Sequence, residues 1–301
     1  MKSGNRLVRR LQEEQHAGRK AFVAYIMAGE PSLELTGPIV EALEGAGVTA
    51  VELGVPFSDP IADGPVIQAA GNRALARHVT LPRILDTVRS LRARSDLPIL
   101  LMGYWNVFRR FGREELLAAS RECGVDGFVI PDLPAEADPE FYARAREEEL
   151  ATVLLATELT SEERLREIAG VTTGFLYYVP RIGITGLDLS VTAAVSQRIA
   201  AIRALTRQPV CVGIGVKTRE DVRRLHEVAD GVIVGTRIVD FIDTKRDLAD
   251  LPERVASLVR ELLPESPDER GSRRAQSWRP ERVRNRRHQA SIMGRGSNRR
   301  W

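Results

Sequence analysis

The chain has 301 residues, 43% hydrophobic and 28% charged, which is enough to bury a large core and too apolar for a disordered protein. Its net charge of +3 is unevenly spread: residues 265–301 hold eleven arginines against four acids, leaving residues 1–264 at −4, so the body lacks the basic character of a nucleic-acid binder. No run approaches the length of a membrane span and the N-terminus has no apolar signal stretch, so a cytoplasmic protein without membrane contact is expected.

In chain order, Asn5–Gln15 reads as a helix lying across the bottom or side of the main body. Short apolar, β-branched runs then recur at Phe22–Met27, Ala50–Leu53, Ile99–Met102, Gly127–Ile130, Thr152–Leu155, Gly174–Val179, Val210–Gly213 and Gly231–Val234. They are continuous rather than alternating, as parallel strands covered on both faces should be. Amphipathic stretches lie between them: Ser32–Ala46, Thr80–Arg94, Arg113–Cys123, Glu136–Glu149, Ser161–Ala169, Ser190–Leu205, Thr218–Val228 and Arg246–Leu263. Thr80 is placed to cap its helix, and Thr218 with Asp221 has the spacing of a capping box. Eight strand–helix repeats predict an α/β fold, a closed (β/α)8 TIM barrel. The rival, a doubly wound sheet, usually carries an early glycine-rich nucleotide loop, and neither GxGxxG nor GxxxxGK[ST] is present.

The expected organisation is an N-terminal helix and lead-in over 1–20, a single catalytic barrel over 21–264, and a basic, disordered tail over 265–301. Trp278 and Trp301 among the tail arginines could suggest RNA or membrane contact, but an extension without function is the better reading. Cys123 and Cys211 cannot build a disulfide scaffold. The four histidines give no zinc spacing, so no metal site is expected.

Barrel chemistry sits at the carboxyl ends of the strands. Glu52 lies inside an apolar strand, so it is either a structural acid held by arginine or backbone donors, or a general acid/base with a raised pKa. The loop after it, rich in proline and glycine, has a defined shape. Asp59 suits a loop organiser, whereas Asp63 could fold back over the mouth to face Glu52. Gly213-Ile-Gly215 and Gly235-Thr236, after the last two strands, would let backbone N–H groups approach a phosphate. Gly183 and Gly186 sit in a loop that can serve as a mobile lid, with Gly186 close enough to add a donor. Tyr177 could point its hydroxyl into the mouth or be a core aromatic.

Glu52-Leu-Gly-Val-Pro-Phe-Ser-Asp-Pro-Ile-Ala-Asp-Gly-Pro-Val-Ile-Gln68 closely resembles the signature segment of the tryptophan synthase alpha subunit family. The similarity extends from Phe22 to about Leu263 and includes Val129–Pro134, Arg181–Gly186, Gly213–Gly215 and Val234–Thr236, but none of the tail. The resemblance implies retro-aldol cleavage of indole-3-glycerol phosphate to indole and glyceraldehyde 3-phosphate, a carbon–carbon lyase step of tryptophan biosynthesis. It implies no cofactor in this chain, with pyridoxal phosphate only in a partner beta subunit of an alpha2beta2 tetramer. Glu52, Asp63 and Tyr177 match catalytic positions, and Gly186, Gly215, Gly235 and Thr236 match phosphate-binding ones. Tyr25 and Ile214 fall at the indole pocket, and Arg181, Gly183 and Thr185 in the lid loop. The chain departs from the usual pattern at Ala24, Met27, Glu30, Gly103, Pro180, Ile182 and Ile214. Those departures keep open a stand-alone lyase releasing free indole, with a non-catalytic regulatory subunit as a third reading.

Overall fold

A computed structural model describes residues 4–180, 189–213 and 215–264, with the side chains of 189–192 excepted. The chain divides into two units, Met1–Pro264 and Glu265–Trp301, and the second lies outside the described residues.

Eight parallel strands form the centre: β1 (Ala21–Met27), β2 (Ala50–Gly54), β3 (Ile99–Met102), β4 (Gly127–Val129), β5 (Ala151–Val153 and Leu155–Ala156), β6 (Leu176–Tyr178), β7 (Val210–Gly213) and β8 (Gly231–Val234). Each pairs with its neighbours in sequence, and β8 returns to pair with β1, Val232 opposite Phe22. Strand β5 is broken at Leu154. Its first piece pairs with β4 (Phe128 opposite Thr152) and its second with β6 (Leu155 opposite Tyr177). The ring therefore closes on itself, as the alternating pattern predicts for a (β/α)8 barrel.

The helices are α1 (Arg6–His16), α2 (Leu33–Ala46), α3 (Pro65–Ala76), α4 (Leu81–Leu91), α5 (Trp105–Phe111), α6 (Arg113–Cys123), α7 (Pro139–Glu147), α8 (Glu162–Val171), α9 (Leu189–Arg203), α10 (Arg219–Val228), α11 (Thr236–Thr244) and α12 (Leu251–Leu262). Three of them, α3, α5 and α11, fall where the sequence suggested only loops or strand ends. Helix α3 buries only Ala70, Gly71 and Ala74 and so shows little apolar periodicity. Helix α5 has seven residues, and α11 continues an apolar run begun by β8. The helix expected from Glu136 starts at Pro139, where Asp138 accepts from the Phe141 amide as N-cap. The helix expected from Arg246 starts at Leu251. Thr80 occupies the N-cap of α4 but makes no side-chain cap bond. The capping box of α10 is present, with Thr218 and Asp221 bonding each other's backbone.

Alternation along the strands separates two cores. Phe22, Ile26, Val51, Leu101 and Phe128 face the helices. Ala21, Val23, Ala50, Leu100, Val129, Val153, Phe175, Cys211 and Ile233 fill the barrel interior. Leu7 and Leu11 of α1 join that interior set, so α1 stoppers the bottom of the barrel. Asn5 fixes its start: Oδ1 accepts from the Val8 amide, and Nδ2 donates to the Asp126 and Glu149 carbonyls at 2.7 Å. Both cysteines are buried and free.

Leu7 has no exposed surface. Leu7→Ala should therefore cost roughly 2–5 kcal/mol, read as a lower urea midpoint with an unchanged m-value.

Candidate active site

Strand β2 places Glu52 between Tyr25 of β1 and Leu100 of β3 in the ladder. Its side chain is fully buried, and neither carboxyl oxygen has a hydrogen-bond partner among the described residues. Among the described residues no arginine or backbone donor holds it, so there the structural alternative raised by its sequence context has no partner to rest on. Burial alone pushes the carboxyl up to about 8. A carboxylate without compensation in a dry site keeps its proton, so Glu52 is largely a neutral acid at pH 7.

Asp63 closes the loop from Val55 to Gly64 and is half-buried. Three contacts shape that loop. The Val55 amide donates to the Met102 carbonyl at 2.8 Å, the Asp63 amide donates to the Pro60 carbonyl at 3.1 Å, and the Ala62 amide donates to the Tyr104 hydroxyl at 3.0 Å. Burial raises the Asp63 carboxyl to about 6, and a hydrogen bond from the Tyr104 hydroxyl limits the rise. Exposed Asp59 takes a bond from Ser58 instead, in keeping with a loop organiser.

Tyr25 and Tyr177 complete the group. Burial pushes both phenols well above their ordinary range, and the charges of Glu52 and Asp63 push each further. Each ring lies over a glycine: a Cβ at Gly54 would overlap the Tyr25 hydroxyl, and one at Gly213 would overlap the Tyr177 ring. Tyr177 is half-buried rather than part of the sealed core.

Sequence reasoning assigns no role to Tyr104, which is buried just beyond β3 and stacks on Phe57 with ring centroids 5.3 Å apart. Burial and the neighbouring Asp63 raise its phenol to about 12. A tyrosine immediately past the end of a strand adjacent to β2 was the signal that could have found it. Asp132, beyond β4, accepts from the Trp105 amide at 2.8 Å and so fixes the start of α5 behind Tyr104.

Across the mouth, Gly235 is the N-cap of α11 with no side-chain cap bond, and Thr236 is exposed in its first turn. Among the described residues nothing lies within 4 Å of where a Cβ on Gly215 would sit. The Ile238 and Val239 amides donate to the Gly235 carbonyl at 2.9 and 3.0 Å, whereas those of Thr236 and Arg237, at the open end of the helix, are oriented to meet an anion. Gly186, Ile214 and the lid residues Arg181, Gly183 and Thr185 lie outside the described residues. Met27, expected near the site, touches α3: a Cβ at Gly71 would sit 3.4 Å from its Cε. A cavity of about 660 Å³ beyond β4 and β5, lined by Ile130, Leu133, Leu154, Leu159 and Arg164, lies apart from Glu52 and Asp63, and its arginine is paired with Glu136 and Glu167. Among the described residues no group of acids, histidines and cysteines could hold a metal ion, and no helix is long and apolar enough to cross a membrane.

Fold and site together define a class: a closed (β/α)8 barrel with two acids of raised and unequal proton affinity at the carboxyl ends of its strands. A profile of the tryptophan synthase alpha chain family matches residues 11–263. The tryptophan synthase alpha chain of Geobacter sulfurreducens is 43% identical over 258 residues, covering 86% of this chain and 97% of that protein. The crystal structure of the tryptophan synthase alpha chain from Legionella pneumophila superposes with a TM-score of 0.78 at 33% identity, covering 86% of this chain and 95% of the other. A chain of the tryptophan synthase complex from Pyrococcus furiosus gives 0.73 at 37% identity, covering 80% and 97%. The chain belongs to the tryptophan synthase alpha chain family.

Two consequences can be measured. The folded protein holds the Glu52 proton to about pH 8, whereas the unfolded chain releases it near its ordinary value of 4.5. Stability should therefore fall as pH rises between those values. Glu52→Gln removes that slope and should be more stable at pH 7 by about 2–4 kcal/mol. In chemical denaturation the difference should vanish toward pH 4. Tyr104→Phe removes the bond that favours ionised Asp63, so the Asp63 carboxyl should titrate above about 6 in carbon-13 NMR.

Proposed function

We propose that this chain cleaves indole-3-glycerol phosphate by a retro-aldol reaction, giving indole and glyceraldehyde 3-phosphate, as the alpha subunit of tryptophan synthase. The observation that carries the reading is the pair of acids that both act on Tyr25 and Tyr177, Glu52 near 8 and Asp63 near 6. Environments that drive two carboxyls apart divide acid from anion.

Glu52, neutral at pH 7, donates its proton to indole C3, which turns the ring into a leaving group. Asp63, ionised, faces the N1–H and stabilises the positive charge that C3 protonation creates. The glycerol hydroxyl next to the scissile bond then gives its proton to the Glu52 carboxylate as the carbon–carbon bond breaks. The aldehyde forms, indole departs, and Glu52 is back in its starting state. Tyr25 and Tyr177 line the indole and hydroxyl positions. The amides around Gly186, Gly215, Gly235 and Thr236 hold the phosphate, which fixes the reacting carbons in place. Relatives named as tryptophan synthase alpha chains, and a solved tryptophan synthase complex among the similar structures, support both the reaction and a beta-subunit partner.

The test is steady-state release of indole from indole-3-glycerol phosphate, with and without a tryptophan synthase beta subunit. Turnover that rises on adding the beta subunit is expected. High turnover alone, unchanged by the partner, would point to the stand-alone lyase, and a folded protein with no turnover in either condition would overturn the enzyme reading. Activity should need Asp63 ionised and Glu52 protonated, giving a bell-shaped profile with limbs near about 6 and about 8. Glu52→Gln should lower kcat by about a hundredfold or more.

A further inference from the structure

Helix α3 follows directly on Asp63, and Val66 and Ile67 in its first turn pack, partly exposed, against the main core. The residues it buries fully, Ala70, Gly71 and Ala74, are small and remove little apolar surface from water. Its N-cap, Gly64, offers no side-chain bond, and its first turn holds no acid. The Met27 methyl against Gly71 is ordinary contact rather than an interlock.

Charge adds a second grip further along the helix. Glu30, in the turn after β1, has a side chain only 1% exposed. Arg73 Nε lies 2.9 Å from one of its carboxyl oxygens and an Arg77 guanidinium nitrogen 3.2 Å from the other. Arg73 lies in the last turn of α3 and Arg77, four residues on, is its C-cap, so both project to the same side at the helix end. Each oxygen of a single buried carboxylate is therefore committed to the C-terminal end of α3, one to its last turn and one to its C-cap, which restrains both its rotation and its sliding. Arg73 also reaches Asp243 near the end of α11, at 3.1 Å, and Arg246 pairs with that same aspartate at 2.8 Å. The clamp thus joins the helix behind Asp63 to the helix whose first turn holds Thr236.

We propose that Glu30 is a positioning residue for Asp63: by gripping Arg73 and Arg77 it sets α3, and through α3 the place at which Asp63 meets Tyr104. Only the kinetic consequence rests on the function proposed above. The loop end is anchored at Tyr104 and the helix end at Glu30, so Asp63 is held from both sides. Cutting a partner from a buried carboxylate leaves the remaining charges poorly compensated and frees the helix.

The experiment compares wild type, Glu30→Gln and Glu30→Asp in the full chain, by amide hydrogen exchange, by carbon-13 titration of Asp63 and by indole release. In Glu30→Gln, exchange across residues 65–76 should rise about tenfold while β2 and α4 stay protected. The Asp63 midpoint should drop from about 6 toward its ordinary 3.8 as the carboxyl gains water, and kcat should fall about tenfold with KM within about twofold. Glu30→Asp, which keeps the charge, should recover most of both effects. Faster exchange with an unmoved Asp63 titration would make Glu30 merely structural and overturn the proposal, as would unchanged exchange. If Glu30→Gln does not fold, Arg77→Met cuts one arm of the clamp at a half-exposed position, and an unmoved Asp63 titration there overturns it equally. A wild type that releases no indole removes the proposed function, while the exchange and titration arms still decide the role of Glu30.

Discussion

A carboxyl group enclosed without a hydrogen-bond partner must give up its charge, and the upper half of this barrel is arranged around that necessity. Glu52 points inward from a strand buried along its whole length. The unfolded chain would ionise it at neutral pH, so keeping it protonated opposes folding by several kcal/mol. The lower barrel offsets this in the ordinary way, with an apolar interior closed beneath by Leu7 and Leu11. One stack of side chains thus serves two purposes: aliphatic packing at the bottom, and a dry, proton-holding site above it.

Asp63 belongs to a different regime. It sits on a loop, keeps partial contact with solvent and takes a hydrogen bond from Tyr104. Its proton affinity is therefore set by contacts that can be lost, whereas that of Glu52 is set by the barrel itself. This contrast separates the two acids by about two units in the direction that acid–anion chemistry needs.

Much of this was legible in the sequence because the residues concerned contradict their surroundings. A glutamate in an apolar run stands out, and so does a dozen-residue loop dense in proline, glycine and aspartate. Eight continuous apolar runs announced the barrel for the same reason. Helices α3, α5 and α11 were not legible, since one buries only small residues, one is two turns long and one prolongs the apolar texture of a strand. Nor was the break in β5 at Leu154, because a stave that changes partners midway looks like any other short strand. Glu30 was visible as a departure from the family aspartate, but Arg73 and Arg77 lie 43 and 47 residues further on, and only folding brings them to it.

The two glycines under the tyrosines have a consequence for how such a pocket can change. Gly54 and Gly213 are empty because Tyr25 and Tyr177 occupy the space their side chains would need. Neither member of a pair can grow unless the other shrinks, so substitutions across Gly54 and Tyr25, or across Gly213 and Tyr177, will not combine additively. The width of the pocket is written in pairs of neighbouring staves, and a lineage that altered it would have to cross an intermediate that is either overfilled or hollow.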